Sequence, residues 1–168
     1  MIVVEEILTE IFEQLPSIDG FKPIYKWGNE FHLQQQLELY SKAKTSPYPL
    51  IYQTSNLSKQ QTFKNECEAK LKLVLACQNT NVSLTNEERW AMSYRNILYP
   101  LLANIEKCFT GAGCVVWNGD YYMQEFPNYG NGKDNFTLDV WDAIVIDVKI
   151  IITDGCVRQI IFKKKTKI

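Results

Sequence analysis

Val4, Ile7, Leu8, Ile11, Phe12 and Leu15 recur at helical spacing, with Glu5, Glu6, Glu10 and Glu13 on the opposite side. Pro16 stops the pattern, so residues 2–15 are predicted to form an amphipathic helix with its acids favourably near the N-terminus. Ser17-Ile18-Asp19-Gly20 reads as the turn after it. Residues 21–27 look extended, and Pro23 restricts them to an edge or a first strand. Asn29 is placed to cap a helix running from Glu30 to about Ala43, with Leu33, Leu37 and Tyr40 on one face. Thr45-Ser46-Pro47-Tyr48-Pro49 is a loop before the short buried strand Leu50-Ile51-Tyr52, and the polar residues 56–65 read as a hairpin loop.

The clearest strand follows. Cys67, Ala69, Leu71, Leu73, Leu75 and Cys77 alternate with Glu66, Glu68, Lys70, Lys72, Val74 and Ala76, which suits an antiparallel sheet with one covered side. Thr85-Asn86-Glu87-Glu88 is a capping box opening a helix to about Phe109, with Trp90, Tyr94, Ile97, Leu98, Leu101, Leu102, Ile105 and Phe109 as its stripe. Pro100 falls inside that helix and should bend it; Thr110-Gly111-Ala112-Gly113 ends it. Residues 115–134 are aromatic and Gly/Asn-rich, an expected hairpin with a long irregular tip. Ile144, Ile146, Val148, Ile150 and Ile152 mark a long core strand, Asp154-Gly155 a type I′ turn, and Cys156–Phe162 a last strand pairing back. The order α, β, α, β, β, α, β, β, β gives an α+β class. The expectation is one domain over residues 1–168, a mostly antiparallel sheet with helices packed on one face, and a basic tail at 163–168.

Composition narrows the classes further. With 168 residues, 46% apolar and 22% charged, the chain suits one globular domain and excludes a disordered, collagenous or disulfide-dense one. The longest apolar runs are far too short to span a bilayer, and Met1–Glu6 meets acid too early for a secretion signal. Five cysteines (Cys67, Cys77, Cys108, Cys114, Cys156) without a CxxC read as reduced thiols of a protein made in the cytosol. The net charge of −1 hides an asymmetry: residues 1–162 hold fourteen Lys and Arg against nineteen acids, a net −5. The last six residues hold Lys163, Lys164, Lys165 and Lys167. So acidic a body is not a general nucleic-acid binder, although the tail could find an acidic partner.

Candidate chemistry is sparse. His32 is the sole histidine and no GxSxG occurs, so nucleophilic triads and zinc sites have little to build on. Cys67 and Cys77 fall on the apolar strand face, and Cys108 and Cys114 flank a turn. Asp139, Asp142 and Asp147 lie close in sequence, but strand geometry puts Asp142 and Asp147 on opposite faces, the expected picture being a solvated rim. Gly130-Asn131-Gly132-Lys133 is a fragment of a phosphate loop without its full spacing or helix. Trp117, Tyr121, Tyr122, Phe126 and Tyr129 are more informative: they either pack on their own core or form a contact surface, as Trp and Tyr commonly do. No catalytic, cofactor-binding or metal-binding residue is expected. The candidate interface residues are these five aromatics with Lys163, Lys164, Lys165 and Lys167.

The order of segments carries a resemblance. An amphipathic first helix precedes Tyr48-Pro49-Leu50-Ile51-Tyr52, and an alternating strand precedes a capped helix with Ile97-Leu98-Tyr99-Pro100-Leu101-Leu102. A Trp/Tyr hairpin then leads to Trp141-Asp142-Ala143-Ile144-Val145-Ile146-Asp147-Val148. Across nearly its whole length the chain resembles the head-to-tail connector and tail-terminator proteins of tailed bacteriophages, especially those infecting Bacteroides-like hosts, crAss-like phages among them. The resemblance implies a structural virion protein without a catalytic site or cofactor. It would form a six- or twelve-fold homo-oligomeric ring in the neck, touching portal, connector or tail proteins, while DNA passes without specific binding and no membrane is involved. Two other classes stay open: a small carboxylate-dependent enzyme using the Asp139–Asp147 region, and a single-stranded nucleic-acid binder using the aromatics and the lysine tail.

Overall fold

The computed structural model describes residues 1–42, 49–54, 58–62, 65–79, 84–129 and 140–162. Its spine is a ladder between β4 (Glu66–Asn79) and β7 (Val140–Thr153), paired antiparallel from Glu66↔Thr153 to Asn79↔Val140. On the outer side of β4 lie β2 (Leu50–Thr54) against its second half and β3 (Ser58–Gln61) against its first. β1 (Ile24–Gly28) adds to β2 in parallel and forms that edge of the sheet, with Pro23 just outside it. Beyond β7 lie β5 (Val115–Val116) and β6 (Tyr121–Tyr129). The class is α+β with an antiparallel-dominated sheet, as the sequence predicts.

Alternation in the two central strands divides the apolar residues between two layers. Cys67, Ala69, Leu71, Leu73, Leu75 and Cys77 share one face with Ile144, Ile146, Val148, Ile150 and Ile152. That face is covered by α1 (Val4–Phe12), which buries Val4, Leu8, Ile11 and Phe12, and by a long helix in three parts. Its first turn is α3 (Asn86–Arg89); a π-helical stretch covers Trp90–Leu98; α4 runs from Tyr99 to Gly111. The capping box is present, with Glu88 N donating to Thr85 Oγ1 at 3.3 Å and Thr85 N to Glu88 Oε2 at 2.9 Å. At Pro100 the helix changes type: the proline sits in the first turn of α4, where its missing N–H needs no partner. The third helix, α2 (Glu30–Lys42), lies on the opposite face of the sheet from the other two. Helices therefore cover both faces and not the one expected, because Val74, Ala76, Ala143 and Val145 make part of the second face apolar as well. There Leu33 and Leu37 pack on Leu50, Tyr52, Val74, Ala76, Trp141, Ala143 and Val145. The rest of that face carries Glu68, Lys70, Lys72, Asp147 and Lys149 and faces solvent.

Three segments differ from the expected pattern. The polar stretch at 56–65 contains a strand, β3, because β2 covers only half of β4 and leaves backbone groups of the other half to be satisfied. Residues 121–129 are a regular strand up to a bulge between Phe126 and Tyr129, since Tyr and Phe suit a pleated surface and Asn128 falls in the bulge. Cys156–Phe162 is not a strand. β5 already occupies the far edge of β7 through Val115↔Ile152 and Val116↔Ile151, and neither Asp154 nor Gly155 has the positive φ of a type I′ turn.

Those residues form an extended arm that crosses from α4 to α1. Arg158 N donates to Ala112 O at 2.8 Å, and the Gln14 side chain then acts as a substitute strand. It accepts from Ile160 N at 2.8 Å and donates to Arg158 O at 3.2 Å. Gly113, at φ +79°, permits the crossing: a Cβ there would lie 2.6 Å from Arg158 Cδ. Ile160 is buried against Gly111, while Ile161 is exposed. Among the described residues no helix is long and apolar enough to cross a membrane.

This division of labour sets an expectation for stability. Phe12, 2% exposed and edge-on to Tyr25 at 5.1 Å, should cost ~3–5 kcal/mol when changed to Ala. Leu39, 58% exposed on α2, should change stability by less than ~0.5 kcal/mol on the same substitution. Chemical denaturation of both variants checks the contrast.

Candidate functional site

Four of the five aromatics proposed as a contact surface pack largely on their own domain. Trp117, in the turn between β5 and β6, lies edge-on to Phe109 at 5.8 Å and stacked on Tyr121 at 6.1 Å, and its Nε1 donates to Asp120 O at 3.0 Å. Tyr121 donates its hydroxyl to Glu106 Oε1 at 2.7 Å. That hydrogen bond, helped by burial, holds the protonated phenol and pushes its pKa up to about 12. Phe126 and Tyr129 lie edge-on at 5.9 Å and close the side of the second core beside Trp141 and Val145. Tyr122 alone of the five stands out, at 66% exposed. What the strand presents to solvent is the row Tyr122, Met123, Gln124 and Glu125. The long helix runs beside it, with Tyr99 donating its hydroxyl to Glu125 and Trp90 edge-on to Tyr99 at 6.2 Å.

The structure also places chemistry where a solvated rim was expected. Asp142 is fully buried. It accepts from Ser93 Oγ at 2.6 Å and from Asn128 N at 3.3 Å, and Arg89 Nη1 lies 3.7 Å from its Oδ1. Arg89, 7% exposed, also donates to Asn128 Oδ1. Asn128 sits at φ 59° in the β6 bulge, a conformation that asparagine tolerates better than most residues. The cluster thus ties α3, the π-helical stretch, the β6 bulge and β7 together. Its signal was present in the sequence: Asp142 has the parity of Ile144, Ile146 and Val148, hence the core face. Asp147 lies on the other face, opposite Lys72 and exposed, so the two carboxylates do not converge.

The remaining candidates are placed as follows. His32 is exposed on α2, and its backbone N donates to Asn29 Oδ1 at 2.8 Å in the expected cap. Cys67, Cys77, Cys108 and Cys114 are buried free thiols, and Cys156 is exposed. Burial pushes the Cys77 thiol up to about 12 against a smaller opposing hydrogen bond from Ser93, and burial likewise raises Cys108 to about 12. Among the described residues no three His, Cys, Asp or Glu side chains gather as a metal site. Asp139, the stretch Gly130–Lys133, and Lys163, Lys164, Lys165 and Lys167 lie outside the described residues. No protein-family model matches the chain, and no curated protein matches it.

The buried ion pair is a scaffold element whose two halves depend on each other. Arg89→Met alone should cost ~3–5 kcal/mol by leaving the Asp142 charge uncompensated. Adding Asp142→Asn should restore part of that loss, because the neutral amide still accepts from Ser93. A double-mutant cycle by urea denaturation reads the coupling, and strict additivity would exclude it.

The thiols supply a pH dependence. Cys77 and Cys108 titrate higher folded than unfolded, so unfolding releases their protons once the pH exceeds ~9. Stability should be level below that pH and fall between about pH 9 and 12, by on the order of 1 kcal/mol per pH unit for each thiol. Cys77→Ala/Cys108→Ala should flatten the fall. Denaturation midpoints from pH 8 to 11 check this.

Proposed function

We propose that the chain is a structural subunit that assembles with copies of itself into a closed ring, and that the ring serves in the neck of a tailed bacteriophage. The observation carrying the self-assembly reading is that the sheet ends in two unlike edges. β1 lies at one end and β6 at the other, each with large exposed apolar side chains. Trp27 (59% exposed) stands on β1, with Phe31 (67%) one turn beyond it, and Tyr122 and Met123 stand on β6. Two different surfaces on one chain make a heterologous contact, and such contacts close into rings when the rotation between neighbours allows it.

The virion assignment is supported by the order of segments in the sequence and by the acidic body, net −5 over residues 1–162, which suits a channel wall that must let DNA slide. In this reading Asp142 and Arg89 fix the scaffold and act on no substrate.

Native mass spectrometry of the purified chain tests the proposal. The expected species is a single closed oligomer of six or twelve subunits of 19.5 kDa. A monomer at every concentration would overturn the ring. Tight, steeply salt-dependent retention of single-stranded DNA by such a monomer would favour the nucleic-acid alternative.

A further inference from the structure

Resting on the ring reading, we propose that the outer edge of β6 is the docking site for the lysine-rich end, residues 163–168, of a second copy of this chain, added as a strand. The first ground is the edge itself. Among the described strands β6 pairs with β7 alone, so the backbone groups on its outer side lack a strand partner over the run Tyr121–Phe126. The other free edges are guarded. β1 is short, preceded by Lys22 and Pro23 and bearing Lys26. β3 is four residues long and clamped by α1, with Lys59 Nζ 2.7 Å from Glu5 Oε1 and Gln61 Nε2 donating to Ile2 O. β6 has its own Pro127 and bulge only beyond Phe126; over Tyr121–Phe126 it has no Pro, Lys or Arg, and its only charge is Glu125.

The second ground is charge. Contacts of Arg89 with Asn128, Tyr99 with Glu125 and Tyr121 with Glu106 lay the long helix along β6. That side therefore holds Glu106 and Glu125, with Asp120 in the turn just before β6, while Arg89 is internal and held by Asp142. The end of the chain supplies the opposite sign in a matching pattern. In Lys163-Lys164-Lys165-Thr166-Lys167-Ile168, strand alternation puts Lys163, Lys165 and Lys167 on one face and Lys164, Thr166 and Ile168 on the other. The lysine face suits the acidic helix side, and Thr166 and Ile168 suit the side bearing Tyr122. Six residues span about 20 Å, the length of Tyr121–Phe126.

The third ground selects a second copy over the chain's own edge. From β7 the arm runs past Ala112 to Gln14, just beyond the C-terminus of α1, and α1 adjoins β1 through Phe12 and Tyr25. The arm is thus directed away from its own β6, toward the opposite end of the sheet. Handing the tail forward joins one end of each subunit to the other end of the next, as a ring requires.

Native mass spectrometry and hydrogen exchange on the full chain and on a chain ending at Phe162 test this. The full chain is expected to assemble with the β6 amides protected. Truncation should give monomers with unchanged melting temperature and β6 amides exchanging at least ~10-fold faster. Asp120→Lys/Glu125→Lys should also dissociate the ring, and adding Lys163→Glu/Lys165→Glu should restore it. If truncation leaves ring and protection intact, the docking site is wrong while the ring stands. If the full chain never assembles, the ring fails; β6 protection that is lost on truncation of that monomer would mean the tail folds onto its own edge. If truncation costs only retention of DNA, the tail belongs to DNA and the docking proposal falls.

Discussion

The ladder from Glu66↔Thr153 to Asn79↔Val140 is the element on which every other part of the molecule leans. Because side chains alternate across it, one pair of strands supplies the floor of both apolar layers. Leu73, Leu75, Ile144 and Ile146 lie under α1 and the long helix, while Val74, Ala76, Ala143 and Val145 lie under α2. The layers are unequal. The larger holds two helical elements and the C-terminal arm, whereas among the described residues α2 contributes Leu33 and Leu37 to the smaller one. In the first half of the ladder the second face loses its cover, and the sequence changes there from Val and Ala to Glu and Lys, as water contact demands.

Much of this was legible because the strongest signals were periodic. The stripe of α1, the alternation of β4 and β7, the Thr85–Glu88 capping box and the Asn29 cap each depend on residues close in sequence, and each appears where that spacing puts it. The errors arose where long-range competition decides. Cys156–Phe162 has a strand-like composition, but β5 occupies the edge it would have used. The stretch around Lys59 is polar enough for a loop, but the uncovered half of β4 draws it into the sheet. Trp117 and Tyr121 suggest an exposed tip until Phe109 and Glu106, eight and fifteen residues earlier on the helix, are brought beneath them. Asp142 was misplaced for a different reason: its parity pointed to the core, but a lone acid beside Trp141 gave no hint that Ser93 and Arg89 would meet it.

The periphery follows from the same ladder. A sheet built outward from two long central strands must end somewhere, and its ends are finished differently. Pro23 and Lys26 close one edge, α1 clips β3 through Lys59 and Glu5, and the β6 edge is left with Tyr122, Met123 and Gln124 in solvent. Leaving an edge strand unguarded carries an aggregation hazard in any protein that works alone. The hazard disappears when the edge has a dedicated occupant, which is how an otherwise well-protected fold can keep one.

The buried carboxylate has a further role, in choosing between alternative alignments of the two central strands. A slip of one residue would turn inward either Lys70 and Lys72 or Lys149, depending on which strand moves, and is forbidden by the apolar pattern alone. A slip of two residues keeps every face correct, and long runs of Leu and Ile discriminate poorly against it. Such a slip would carry Asp142 about 7 Å along the strand direction, away from the Ser93 hydroxyl and the Arg89 guanidinium. The charge would then be buried without a donor, at a cost of several kcal/mol. A single acid among isoleucines thus excludes a misfolded state that the hydrophobic residues around it would accept.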